Sequence, residues 1–263
     1  MAKKSYTFWK VLRIFILLLI LFLVWQNANT QKTLTTTWDV PLSVIYYPIN
    51  ADGKTSTTQY LETLELKDLN EINRHLLREA QRFGIKLDTA VEIRLDKSIT
   101  EVPDQLPVNG SFLTNAWWSL KFRYWANKHK PDDLKVWQIR LYALYFTPED
   151  NMRLPHSTGL EKGLFALINL FASEEQEKLN NVVSSHELLH TLGATDKYNL
   201  STGQPIYPQG YAEPNKKPLH PQSKSEIMAI LKATSATETE LPTSLNEVIV
   251  SDLTAREIGW IKD

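Results

Sequence analysis

The sequence predicts an α+β domain. It would have a mixed twisted sheet, one long helix bearing paired histidines and a closing C-terminal helix, preceded by a single N-terminal membrane helix. Three observations carry that prediction. Residues 14–25 are an unbroken apolar run. Segments 40–49, 91–99, 134–146 and 163–171 are short, β-prone and bounded by turn residues or longer stretches. Segments 66–83, 112–129, 174–192 and 251–258 have helical spacing or helix caps. At 263 residues, 43% hydrophobic and 22% charged, the chain suits one large ordered domain. A net charge of −1 gives no reason to expect a nucleic-acid partner. There is no cysteine, which excludes disulfides, thiolate ligands and a cysteine nucleophile.

At the N-terminus, Lys3, Lys4, Lys10 and Arg13 lead into the apolar run. Twelve residues fit a signal-peptide core, but 8–25 approaches the bilayer width if Lys10 and Arg13 snorkel to the headgroups. Trp9 and Trp25 stand where interfacial aromatics belong. The following Gln-Asn-Ala-Asn-Thr is a poor cleavage site, which favours an uncleaved anchor over secretion after signal cleavage. Under both readings the positive-inside rule puts the N-terminus in the cytoplasm and the rest of the chain outside it. The absence of cysteine suits an exported domain. The expected organisation is a signal anchor at 1–26, a polar threonine-rich stalk at 27–37 and one domain at 38–263.

Within that domain, Leu42, Val44, Ile45, Tyr46 and Tyr47 mark a first strand, expected to be broken by Pro48 and the Asn-Ala-Asp-Gly turn at 50–53. Leu69, Ile72, Leu76, Ala80 and Phe83 line one helix face, with Arg74, Arg78, Glu79 and Arg82 expected on a solvated one. Val91, Ile93 and Leu95 alternate as a second strand. Segment 112–129 is aromatic. Leu113, Ala116, Trp117, Leu120 and Tyr124 form one stripe, widened by Trp118, Phe122 and Trp125, and the expected arrangement is a buried core helix, the alternative being a helix lying on the membrane surface beside the anchor. Segment 163–171 is almost wholly apolar, as a strand covered on both faces should be. Residues 174–192 follow as a long helix with Ser173 as N-cap. Five prolines between 199 and 225 then preclude long regular elements, and a loop of that length is expected to wall a cleft. Ser251 caps the closing helix and Gly259 stops it.

The long helix carries His186-Glu187-Leu188-Leu189-His190-Thr191-Leu192-Gly193-Ala194-Thr195-Asp196. Histidines four apart lie on one helix face, one turn apart, so both imidazoles can reach one ion. Glu187 lies between them, placed to reach a water on that ion. Gly193 ends the helix, and after the reversal Asp196 offers a carboxylate. A chance match to this whole spacing is roughly one in ten thousand from average residue usage. Two neutral histidines and one carboxylate leave a zinc ion an open position for activating water, with Glu187 as general base.

HELLHTLGATDKY resembles the HExxHxxGxxD variant of the metzincin-type zinc metallopeptidases, and within them the snapalysin-like peptidases. The resemblance covers about a dozen residues and implies a metzincin-like fold. It makes His186, His190 and Asp196 the Zn²⁺ ligands and Glu187 the catalytic base. Met228 falls where that clan has its Met-turn. The tyrosine that some members carry two residues later is absent, since position 230 is isoleucine. Tyr198, two residues after the aspartate, is then the candidate transition-state stabiliser. The leading expectation is a membrane-anchored zinc metalloendopeptidase acting on peptide or protein substrates outside the cytoplasm. The alternatives are a zinc hydrolase of cell-wall peptide amides, or a non-catalytic zinc-stabilised binding domain. An intact Glu187 argues against the last, because a closed structural site has no use for a general base.

Overall fold

A five-stranded sheet organises the chain in the computed structural model, which describes residues 2–107, 110–149 and 152–262. Helix α1 spans Ala2–Thr36 and leads to strand β1, Leu42–Asn50. Helices α2 (Thr55–Thr63) and α3 (Asn70–Arg82) precede β2 (Val91–Leu95), and α4 (Phe112–Lys128) precedes β3 (Ile139–Phe146). Strands β4 (Thr158–Leu160) and β5 (Phe165–Phe171) follow, then the long helix α5 (Glu177–Thr191). The C-terminal part holds β6 (Ser225–Glu226), β7 (Lys232–Ala233), β8 (Thr239–Glu240), β9 (Val248–Ile249) and the closing helix α6 (Asp252–Glu257). The sheet order is β2-β1-β3-β5-β4. All its pairs are parallel except β4 with β5.

Parallel pairing requires crossovers, and the helices that make them cover both faces of the sheet. Alternation along each strand divides the apolar residues between those faces. Val44, Tyr46, Leu141, Ala143, Ala166 and Ile168 face a core shared with Ile72 and Leu76 of α3 and Leu188 and Leu189 of α5. Ile45, Tyr47, Tyr142, Leu144, Phe165 and Leu167 face a second core with Trp118, Phe122 and Trp125 of α4. The four predicted strands and the long helices are therefore present, in a mixed and mostly parallel arrangement.

Several expectations are corrected. Pro48 does not break β1, which runs through it to Asn50 with Pro48 opposite Ala143 of β3. The aromatic helix α4 buries Trp118, Phe122, Trp125 and Ala126, whereas the stripe expected in the core is outside it. Phe112 is 84% exposed and Trp117 62%, with Leu113, Leu120 and Tyr124 also exposed. Apolar residues surround this helix, so the sequence expresses no preferred face and the stacked Trp118–Phe122–Trp125 rings decide it by packing on Tyr142 and Phe165. Glu79 is buried rather than solvated. It accepts the Val250 amide at 3.1 Å and Arg82 Nη2 at 2.9 Å, tying α3 to the C-terminal segment. Ser173 makes no side-chain cap; a 3₁₀ turn, Glu174–Gln176, leads into α5.

The tract expected as a stalk is helical to Thr36 and ends against the domain. Trp38 Nε1 donates to the Ile258 carbonyl at 2.7 Å, and its ring meets Trp260 at 5.3 Å. A Cβ on Gly259, which has φ +85°, would fall 2.2 Å from the Thr36 carbonyl oxygen. Helix α1 is long and apolar enough over Phe8–Thr36 to cross a membrane, a property that a signal sequence shares.

Candidate metal centre

Helix α5 packs against β5, with Asn180 reading both polar groups of Phe171: its Oδ1 accepts the amide at 3.3 Å and its Nδ2 donates to the carbonyl at 2.9 Å. From Asn180 to Thr191 nearly every residue is buried. The helix stops at Gly193, whose φ of +102° is readily taken without a Cβ. The Gly193 amide donates to the His190 carbonyl and the Ala194 amide to the Leu189 carbonyl, both at 3.1 Å. The chain thereby turns back along the histidine face.

That reversal brings the predicted groups together. Asp196 Oδ1 lies 3.3 Å from His186 Nε2 and 3.1 Å from His190 Nε2, and the two Nε2 atoms are 3.0 Å apart. Both Nδ1 atoms face backbone carbonyls, His186 to Ile227 at 3.0 Å and His190 to Ala194 at 2.8 Å. A carbonyl can only accept, so each Nδ1 carries a hydrogen; a neutral imidazole then offers its Nε2 lone pair to a ligand, and a protonated one donates from Nε2 to Asp196. Asp196 is held from both sides by Glu257. This residue accepts the Thr195 amide at 3.1 Å, the Thr195 hydroxyl at 2.7 Å and the buried Lys197 ammonium at 2.7 Å.

The ligand atoms of His186, Glu187 and His190 lie within 4.8 Å of one another, a grouping compatible with a metal ion. Spacing separates their parts. Two ligands about 2.0–2.1 Å from one zinc ion at a tetrahedral angle stand about 3.3 Å apart. The three separations among His186, His190 and Asp196 match that value. Glu187 Oε1, at 4.0 Å from His186 Nε2, lies beyond it. Glu187 is buried, and its Oε2 has no hydrogen-bond partner among the described residues. Burial pushes the Glu187 carboxyl up, against the two histidines, which favour its charge. For Asp196, burial is outweighed by hydrogen bonds from His186 and His190, which hold the carboxyl well below the usual range. Burial likewise opposes the charge on His190, yet the Asp196 hydrogen bond and the Glu187 charge push this imidazole up.

Tyr198 is half-buried, and its hydroxyl is pushed up to about 12, by burial first and then by the charges of Asp196 and Glu187. Met228 is fully buried; its carbonyl accepts the Lys197 amide at 2.9 Å, next to Asp196. Gly159 of β4 escaped the sequence reading. A Cβ there would meet His190 Cβ at 2.4 Å and the Glu187 carbonyl oxygen at 2.8 Å, so only glycine lets β4 lie this close to α5. A lone glycine in a polar loop gives no signal of such a contact.

No family model and no curated protein matches the sequence. The chain is similar to solved structures of OgpA from Akkermansia muciniphila. Wild-type OgpA in two crystal forms aligns at 14% and 13% identity, with TM-scores of 0.37 and 0.34. Its catalytically inactive form in complex with an O-glycopeptide substrate, glycodrosocin, aligns at 11% identity with a TM-score of 0.34. Each alignment covers 81% of this chain, which spans 58% of the length of the OgpA chain.

Proposed function

We propose that the chain is a membrane-anchored, zinc-dependent metalloendopeptidase of metzincin-like type that hydrolyses peptide bonds outside the cytoplasm. The observation that carries this reading is the convergence of His186 Nε2, His190 Nε2 and Asp196 Oδ1 at ligand spacing, beside the buried Glu187 carboxyl. Two neutral imidazoles with free Nε2 lone pairs and one ionised carboxylate are a donor set that fits zinc. Zinc held there would supply Lewis acidity and bring the pKa of water towards neutrality. His186, His190 and Asp196 would hold it, with Met228 as the candidate Met-turn residue.

Glu187 is the general base. It is buried on the helix turn that carries His186 and His190, where a carboxylate can take and give a proton. It accepts a proton from water as the water attacks the scissile carbonyl, then delivers that proton to the leaving amine. Tyr198 stabilises the charge that develops on the carbonyl oxygen. The apolar segment of α1 anchors the domain to the membrane, and the positive charges before it place the N-terminus in the cytoplasm.

The test is metal content of the purified full-length chain, followed by hydrolysis of an unfolded protein with and without chelator. Glu187→Gln is expected to bind zinc as the wild type does and to lose about 10²–10⁴-fold in kcat. Turnover retained by Glu187→Gln, or unaffected by chelation, overturns the reading.

A further inference from the structure

Glu226 is 0% exposed, and the reaction proposed above does not use it. Its Oε2 accepts the Met228 amide at 2.6 Å. Its Oε1 accepts the Ser251 amide at 3.2 Å, the Ser251 hydroxyl at 3.0 Å and the Thr254 hydroxyl at 2.6 Å. Burial pushes this carboxyl up; those donors and the nearby Lys197 ammonium oppose it. A buried carboxylate is costly unless its oxygens are satisfied, and here four donors satisfy them.

These bonds fix a tight strap. The Ala229 and Ile230 amides both reach the Glu226 carbonyl at 3.0 Å, and Ile230 takes a φ of +61°, uncommon for a β-branched residue. The strap touches both sides of the ligand set. The Ile227 carbonyl accepts His186 Nδ1–H, and the Met228 carbonyl accepts the amide of Lys197, the residue after Asp196. Ser251 meanwhile caps α6, accepting the Thr254 amide at 3.3 Å, so the same carboxylate ties the closing helix to the strap.

We propose that Glu226 is a positioning residue for the metal site. By locking the 226–230 strap it keeps the His186 hydrogen on Nδ1 and turns Nε2 towards His190 and Asp196. This deepens the metallopeptidase reading and rests on it. Outer groups that set the tautomer of a ligating histidine typically change metal affinity about 10–100-fold when lost.

The experiment uses the full-length chain in detergent micelles, as wild type, Glu226→Gln and the double variant Ser251→Ala/Thr254→Val. Long-range ¹H–¹⁵N correlation of the six histidines, with His186 assigned through His186→Gln, reads the tautomer in the metal-free protein. Competition with a chromophoric chelator reads zinc affinity. Glu226→Gln sets an amide N–H₂ against donors, so His186 is expected to leave the single Nδ1–H form and the zinc Kd to rise about 10–100-fold. The double variant, which removes two hydroxyl donors and leaves the carboxylate, is expected to move both readouts the same way by less. It is the deciding variant if Glu226→Gln does not fold. A folded variant with the wild-type His186 tautomer and a zinc Kd within twofold of wild type overturns the proposal. A wild-type chain that binds no zinc overturns the metallopeptidase reading, and the tautomer comparison then still decides whether Glu226 positions His186.

Discussion

His190 Nε2 and Asp196 Oδ1 face each other at 3.1 Å, across a turn of six residues that Gly193 opens and Glu257 fastens. The carboxylate is thus held in position by contacts on either side of it, rather than by its own bonds to the histidines alone.

Asp196→Asn tests that relationship. The amide is nearly isosteric but lacks the charge, and it can turn an N–H₂ towards two imidazoles that are already donors through Nδ1. Zinc affinity should fall by more than the roughly 10–100-fold that loss of an outer-sphere partner costs. Helix content should stay unchanged, because Thr195 and Lys197 keep their bonds to Glu257. Chelator competition alongside circular dichroism measures both. Wild-type affinity in this variant would remove Asp196 from the ligand set.

Gly159→Ala probes the approach of β4 to α5. The added methyl would lie 2.4 Å from His190 Cβ and 2.8 Å from the Glu187 carbonyl oxygen, one of them backbone and neither the far end of a flexible side chain. Strand and helix must part, at a cost of about 1–3 kcal/mol for an overpacked site. Thermal unfolding should register the loss, and turnover should fall with it because His190 and Glu187 sit on the displaced surface. An unchanged Tm with full activity would mean that β4 shifts freely.

Much of the candidate site was legible in the sequence because its spacing is local. The four-residue interval puts His186 and His190 on one face, Gly193 announces the reversal, and Asp196 follows within reach. The strands were legible because alternation and apolar runs are local too. What escaped depends on partners distant in sequence. Gly159 matters through His190, and Glu226 through Ser251 and Thr254. Glu79 looked like part of a charged face until Val250, 171 residues away, was seen to donate to it. The aromatic helix shows the same limit: with apolar residues on every side, the packing of Phe122 against Tyr142 and Phe165 selects the buried face.

His75 sets a pH limit on stability. It is 1% exposed, and burial pushes its imidazole down to about 4, against an attraction from Glu79. Above about 6.5, the ordinary histidine value, folded and unfolded chains are both neutral here and the residue has no effect on the pH dependence. Between about 6.5 and 4 the unfolded chain takes a proton that the folded chain refuses, so stability falls as the pH drops, by up to roughly 3 kcal/mol. Urea unfolding in micelles at pH 7, 5.5 and 4.5 should show that decline, and His75→Gln should flatten it. An equally steep decline in the variant would assign the acid sensitivity to other groups.

Tyr198→Phe separates catalysis from metal binding. The tyrosine hydroxyl feels the charges of Asp196 and Glu187, which help push it up to about 12, so it remains a protonated donor at any working pH. Such a donor stabilises developing oxyanion charge and contributes nothing to holding zinc. Losing one donor of this kind costs about 10²–10³-fold in kcat. The phenylalanine variant should therefore keep full zinc stoichiometry and an unchanged affinity while kcat drops on that scale and KM moves little. If kcat stays within a factor of two, charge stabilisation belongs to another group. If zinc is lost as well, Tyr198 supports the Asp196 loop rather than the reacting carbonyl.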